Sequence, residues 1–511
     1  MALLGRLPLH PLLLAAYAVL FVYAANISEV LPADLVGPLT TALLVAAVIL
    51  ALCSLLFRDA RRGAVLASAI VLAVAFFGHI ADLLDEDVVG EPLQLAVWTT
   101  FVVLAGLYAW LVGGSLPRLT TALNAFGLAL LTLTLFTIVP AESSRAVRAS
   151  EGPPVSDAVI AEATRKPERD IYFLVFDRYG SDWAIEQRFG ITSDLDDDLE
   201  AAGFQVIPGA RVNYRATDFS LASMLSLDTL DDLTESVGRE SGDRTPARAK
   251  VRDHEAGRFL RANGYRYVHL GAWYEPTFTS PIADEVRRYG KTTEFERVLR
   301  EATILPVLAR MAGQAAEDDD FRNRHRNEAL FQLRQIERLA DEPERKFVFA
   351  HILLPHPPYG FDAGGDIVFK ETEDSMIEAG RESELYEQQL RFTNDRIREV
   401  VGTLLDRPDG EQPIIVISGD EGPFLCFHRD CIDGTPETYG VRFGSLRAYY
   451  LPGLDHEVPA DDSGVNIFRM LFREYFGADL PDLPNRSYDW PDNDHLYDFR
   501  DITDELPLPD G

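Results

Sequence analysis

The sequence predicts an α/β protein in two parts: a five-helix transmembrane N-terminal segment, then a domain with a mostly parallel central sheet. Three observations carry this prediction. Five long apolar runs crowd into residues 1–140, four short β-rich apolar runs follow residue 169, and helical patterns separate those four. The expected organisation is a transmembrane domain at 1–140, a linker or juxtamembrane segment at 141–168, and an extracytoplasmic domain at 169–511.

With 47% hydrophobic and 25% charged residues in 511, intrinsic disorder is excluded for most of the chain. The formal net charge is −32, from 48 Lys+Arg against 80 Asp+Glu. A surplus of that sign repels a polyphosphate backbone, so nucleic acid is not an expected partner. Residues 1–150 contribute only −2 of it; the rest lies on the C-terminal domain.

The apolar runs are Pro11–Ala25, Leu35–Phe57, Gly63–His79, Leu93–Val112 and Leu119–Val139, none with an internal Lys or Arg. Each approaches or exceeds the length of about 20 residues that crosses a bilayer core. Arg6, then Arg58, Arg61 and Arg62, then Arg118 mark alternate loops; between them lie Glu29 and Asp34, and Asp82, Asp85, Glu86, Asp87 and Glu91. Arginine-bearing loops stay inside. The N-terminus is therefore expected in the cytoplasm and the C-terminal domain outside. A cleaved signal peptide, with Ala24 and Ala25 at its end, is the alternative for the first run. Outside, Cys426 and Cys431 are free to form a local disulfide. Cys426, His428 and Cys431 as soft metal ligands is the sharper alternative. Cys53 lies within the second run. Pro140–Lys166 shows no period and reads as a tether.

The strand-like runs are Ile171–Phe176, Tyr265–Leu270, Phe347–Leu354 and Pro413–Ser418, with helical patterns at Phe321–Ala340 and Glu384–Leu405. Alternation of this kind predicts a parallel sheet whose ligands bind beyond the carboxyl ends of the strands. At those ends stand Asp177, then Asp420 and Glu421, then His351 and the following Pro355-His356-Pro357-Pro358-Tyr359. Three carboxylates and two histidines gathered there are the ingredients of a metal site. Taken singly, Asp177 also fits a helix cap or turn, Asp420-Glu421-Gly422 a solvated turn, and His351 a satisfied core histidine. Thr217 opens a helical pattern through Phe219, Leu221, Ala222, Met224 and Leu225. Its hydroxyl fits an N-cap and a nucleophile beside a cation equally well.

As a set, Asp170-Ile-Tyr-Phe-Leu-Val-Phe-Asp177, Asn213-Tyr-x-x-Thr217-x-x-Ser220, His351-x-x-x-x-His356-Pro-Pro-Tyr and Ser418-Gly-Asp420-Glu421-Gly resemble the sulfatase-like branch of the alkaline phosphatase superfamily. The resemblance spans roughly Arg169–Tyr488, including Val465-Asn466 and the Leu483–Tyr488 tail. Five spans followed by an outside domain is also the layout of lipoteichoic acid synthases and lipid A phosphoethanolamine transferases.

The resemblance implies an alkaline-phosphatase-like domain holding a divalent metal through Asp177, Thr217, Asp420 and Glu421. It implies Thr217 as the nucleophile and His356 as the residue at the transferred phosphoryl group or its leaving oxygen. Arg178 and Arg215, adjacent to two of these positions, are the expected substrate phosphate contacts. The implied reaction moves a phospho-headgroup from a membrane lipid to an envelope glycan or lipid. A hydrolase using the same nucleophile (phosphodiesterase or phosphatase) and a non-catalytic envelope scaffold with a degenerate metal site are the alternatives. Glu421 stands where the family carries histidine. An oxygen-only set favours Mn²⁺ or Mg²⁺, with Ca²⁺ or Zn²⁺ possible. Neither Cys426, Cys431 nor Thr217 opens the Cys/Ser-x-Pro/Ala-x-Arg motif from which sulfatases mature formylglycine, so sulfate-ester hydrolysis by that route is not expected.

Overall fold

The structure, a computed structural model, describes residues 7–83, 90–112, 116–151, 163–313, 317–366, 380–408, 410–423, 434–455 and 457–507. Cys426, His428, Cys431, much of the acidic loop before Glu91 and the middle of the 141–168 segment lie outside the described residues. The chain forms two compact units, Met1–Glu151 with Thr292–Asp320, and Gly152–Lys291 with Phe321–Gly511.

In the first unit the apolar runs become helices α1 (His10–Ala25), α2 (Pro32–Phe57), α3 (Ala60–Ala75) continued by α4 (Phe77–Leu83), α5 (Glu91–Leu111) and α6 (Leu116–Glu151). Among the described residues, Pro32–Phe57, Glu91–Leu111 and Leu116–Val147 are long and apolar enough to cross a membrane. Helices α1 and α3 have 16 residues each, about 24 Å at 1.5 Å per residue, short of a hydrocarbon core of about 30 Å. Two of the five expected spans are thus shorter than a full crossing. Asp59 caps α3 by accepting from the Arg61 and Arg62 amides at 2.8 and 3.1 Å. Arg62 in turn donates to the Trp110 and Val112 carbonyls at 3.2 and 3.3 Å, closing the end of α5. A Cβ on Gly63 would lie 2.4 Å from the Ser54 backbone nitrogen, so only glycine permits the α2–α3 approach.

The second unit is built on a seven-stranded sheet in the order β2-β7-β6-β1-β5-β3-β4. These strands are β1 (Ile171–Phe176), β2 (Gln205–Val206), β3 (Arg266–Leu270), β4 (Glu285–Arg287), β5 (Lys346–Ile352), β6 (Ile414–Gly419) and β7 (Arg447–Tyr450). Strand β1 runs parallel between β5 and β6, while β7 is antiparallel to β6 and β2.

Both faces of the central strands are covered. Ile171, Phe173 and Val175, with Phe347, Phe349 and Val416, pack with Phe219, Leu221 and Leu225 of helix Thr217–Ser226. Tyr172, Leu174 and Phe176 pack on the other side with Leu333 and Ile336 of helix Glu317–Ala340, and with Leu390 and Ile397 of helix Glu382–Leu405. Each of these side chains, removed from water, contributes about 1.5–3 kcal/mol. At the amino end of the sheet, the buried Lys346 ammonium meets Asp170 at 2.7 Å, and Arg407 reaches the same carboxylate at 3.2 Å.

Candidate active site

Sheet register assembles the site. Val175 of β1 is level with His351 of β5 and with Ser418 of β6. Asp177 and Asp420 each lie two residues beyond those positions, so the pleat returns them to the face His351 occupies. Helix Thr217–Ser226 covers that same face. One ligand atom each of Asp177, His351 and Asp420 lies within 4.8 Å of the others. His351 Nε2 is 3.6 Å from Asp177 Oδ2 and 3.8 Å from Asp420 Oδ2.

All three side chains are buried, and Asp177 Oδ1, Asp420 Oδ2 and His351 Nε2 have no hydrogen-bond partner. An unsatisfied buried polar atom costs about 1–3 kcal/mol, more when charged. Three such groups, with one ligand atom of each within 4.8 Å of the others, therefore fit a divalent cation. Zinc or magnesium ligands sit about 2.0–2.2 Å from their ion, which places neighbouring ligands about 3–3.5 Å apart.

The charges agree. Burial, then the neighbouring Asp420 and Glu421 carboxylates, push Asp177 well above the usual carboxylate range. Burial, followed by Glu421, pushes Asp420 up to about 7. Burial lowers His351 to about 3, so the imidazole is neutral and able to ligate. Its orientation is fixed from behind. The Thr277 hydroxyl donates to the Tyr274 carbonyl at 3.4 Å and so accepts from His351 Nδ1 at 3.0 Å. That assigns the proton to Nδ1 and leaves the Nε2 lone pair facing the carboxylates.

Thr217 is the first residue of its helix, not the cap; Ala216 is the cap residue. The Thr217 side chain instead lies beside Asp420, helping to hold that carboxyl down against burial, and is half-buried. Arg178, directly after Asp177, adopts a left-handed backbone (φ 58°) that costs about 1–2 kcal/mol in a non-glycine residue. The turn aims its amide at Asp420 Oδ1 at 3.0 Å. Glycines let the two loops meet: a Cβ on Gly419 would lie 2.2 Å from the Tyr179 carbonyl oxygen, and one on Gly422 1.8 Å from that of Val441.

Glu421, expected in the ligand set, points elsewhere. It accepts from Arg178 Nε at 2.8 Å and pairs with Arg442 Nη2 at 3.0 Å, placing two guanidiniums beside the three ligand groups. Arg215 is also turned away from the expected role. It pairs with Asp489 at 2.5 Å, donates to the Trp490 carbonyl at 2.9 Å and stacks 4.4 Å from the Trp490 ring centroid. His356 is half-buried, its Nδ1 bonded to the Pro357 carbonyl and its ring edge-on to Trp273. Gln389 holds its loop by donating to the Pro355 and His356 carbonyls at 3.1 and 2.9 Å. Burial, then the Arg178 charge, keeps the His356 imidazole neutral.

Sequence reasoning placed Asp177, Thr217, Asp420 and His356 at strand or helix ends, and the structure brings the first three together. It counted His351 among the strand-end ingredients of a metal site but favoured a packing role for it. The available signal was position: His351 lies on the strand neighbouring β1, near its carboxyl end. Arg442 and Thr277 carry no motif.

No family model matches the sequence, and no curated protein matches it. Solved structures do align. The C-terminal periplasmic domain of EptC from Escherichia coli, in complex with Zn, aligns at a TM-score of 0.43 and 11% identity over 68% of this chain and 96% of that one. A putative sulfatase from Bacteroides thetaiotaomicron aligns at 0.42 and 13%, over 61% and 72%. The integral membrane protein lipooligosaccharide phosphoethanolamine transferase A (EptA) from Neisseria meningitidis aligns at 0.40 and 13%, over 98% of this chain and 99% of that one.

Proposed function

We propose that this chain is a membrane-anchored, divalent-metal-dependent phosphotransferase of the sulfatase-like kind, moving a phospho-headgroup from a lipid to an envelope acceptor through Thr217. The observation that carries the reading is the convergence of Asp177, His351 and Asp420, three buried groups with one ligand atom each within 4.8 Å of the others, with the half-buried Thr217 side chain beside Asp420. Asp177, His351 and Asp420 would hold the cation, with Thr217 beside it. One imidazole among the ligands brings Zn²⁺ level with Mn²⁺, and ahead of Mg²⁺, which prefers oxygen. When bound, such a cation supplies charge stabilisation to a phosphoryl oxygen and to the threonine alkoxide.

Charge supports a phosphodiester as donor. Asp177, Asp420 and Glu421 against Arg178 and Arg442 leave −1, and a divalent cation makes +1, the complement of a monoanion. Arg178 and Arg442 bind the phosphoryl oxygens. Thr217 Oγ attacks phosphorus, its proton passes to the neighbouring Asp420 carboxylate, and the bond from phosphorus to the diacylglycerol oxygen breaks. The leaving alkoxide takes a proton from water, and Asp420 returns its proton to the solvent, so the step balances. His356, with Nδ1 committed to the Pro357 carbonyl, offers its Nε2 lone pair to the acceptor hydroxyl of the second transfer. Hydrolysis uses the same residues with water as that acceptor.

The test is phospholipid headgroup turnover by the full chain in proteoliposomes, with and without an acceptor alcohol. Thr217→Ala is expected to abolish turnover and to retain metal. Turnover that persists in Thr217→Ala rejects the reading.

A further inference from the structure

The segment Thr292–Asp320 interrupts the α/β unit in sequence and belongs to the unit of apolar helices. Its first helix, Glu294–Glu301, starts in a capping box between Thr293 and Glu296. Its apolar face fits the bundle: Phe295 is buried with Val22, Tyr23, Val30 and Ile138, and its ring sits edge-on to Tyr23 at 6.1 Å. Between the helices the backbone is stitched to the α3–α4 junction, Gly78 N–H donating to Ala302 and Ile304 N–H to Val74, each at 3.0 Å. Arg310, in the second helix, pairs with Glu91 at the start of α5.

These contacts lie at one end of the bundle. Tyr23 ends α1, Val30 precedes α2, Val74 and Gly78 flank the α3–α4 junction, Glu91 begins α5, and Ile138 lies late in α6. Helices running up and down bring those points to the same level.

The second helix, Leu305–Met311, buries Pro306 and Val307 and leaves its other side bare. Leu305 is 50% exposed, Leu308 46% and Met311 70%. Spacings of three residues place them along one stripe. The bare stripe continues an apolar surface: beyond Glu91, Leu93, Val97, Leu104 and Leu107 of α5 are likewise exposed. A polar-flanked apolar stripe level with the end of membrane-crossing helices has the form of an interfacial helix. Arg310, tied to Glu91, sits where a cation meets lipid headgroups.

We infer that Leu305, Leu308 and Met311 form a lipid-binding surface, seated in the bilayer leaflet at the Glu91 end of the bundle, with acyl chains as their partner. A stretch of chain between two strands of the α/β unit thereby takes a place in the membrane, independently of the chemistry at Thr217.

The test places a benzophenone amino acid at position 308, and separately at 311, in the full chain reconstituted in phosphatidylcholine–phosphatidylglycerol vesicles. The control site is Asp194, 80% exposed in the α/β unit. After irradiation, mass spectrometry of the tryptic peptides 301–310 and 311–322 is expected to show phospholipid adducts, absent at position 194. Position 311, the most exposed of the three, serves should a label at 308 disturb folding. Irradiated protein without lipid adducts at both positions, or with protein–protein adducts in their place, overturns the inference.

Discussion

Arg178 Nε meets Glu421 Oε1 at 2.8 Å, and that contact sets what the acid after Asp420 does. Glu421 also holds Arg442 at 3.0 Å, so its two oxygens are spent on guanidiniums. The chain thus has a brace for two guanidinium cations beside the three converging groups Asp177, His351 and Asp420.

The brace separates metal binding from substrate binding. Glu421→Gln is expected to keep stoichiometric metal, measured by elemental analysis of the purified chain. Charge-assisted bonds contribute about 1.5–3 kcal/mol each, so KM for a phospholipid donor is expected to rise about 10–100-fold. Loss of the metal in Glu421→Gln would make Glu421 a ligand after all.

Thr277 orients His351 without touching the ligand point. Thr277→Val keeps the shape and removes the acceptor at 3.0 Å from Nδ1. Partners of this kind change metal affinity about 10–100-fold when removed. A competitive chelator titration on the variant is expected to show a weakening of that order with the thermal midpoint nearly unchanged.

Metal binding is expected to depend on pH through Asp420. Its folded-state value, pushed up to about 7, means the metal-free site holds a proton below that pH and must release it to bind a cation. Affinity should therefore fall by about tenfold for each pH unit below 7 per proton displaced, and flatten above it. Calorimetry at pH 6 in buffers of different ionisation heat is expected to report proton release, with less release at pH 8.

The buried Lys346–Asp170 pair anchors the amino end of the sheet, far along β5 from His351. Removing one partner of such a pair leaves an uncompensated charge and costs about 3–5 kcal/mol. Asp170→Ala is expected to lower the thermal midpoint of the full chain while the metal affinity of the folded fraction stays unchanged.

The strands were legible because each central strand is buried on both faces: Ile171–Phe176 reads as an unbroken apolar run and is one. Asp177 and Asp420 were legible because chemistry stands where such runs stop. Short edge strands were not, since Gln205–Val206 and Glu285–Arg287 carry no apolar run. His351 was hidden by its own burial, because a histidine inside a strand looks the same whether it packs or ligates. Its role depends on the register that sets it level with Val175, a pairing across 176 residues. Arg215 was misdirected by adjacency: two positions from Thr217 in sequence, its side chain is taken by Asp489 and Trp490, residues no local pattern links to it. The membrane affiliation of Thr292–Met311 was equally out of view, since its apolar positions are spaced for a surface helix.

In the proposed reaction Thr217 carries the transferred group. Its most direct test is mass spectrometry of the tryptic peptide Ala216–Arg239, taken from the full chain after incubation with Zn²⁺ or Mn²⁺ and mixed phospholipids and quenched in acid. A phospho-headgroup mass increment on that peptide, localised to Thr217, absent in Thr217→Ala and discharged when acceptor is added in excess, is the result predicted. An unmodified peptide in a preparation that turns lipid over, with turnover undiminished in Thr217→Ala, would contradict it.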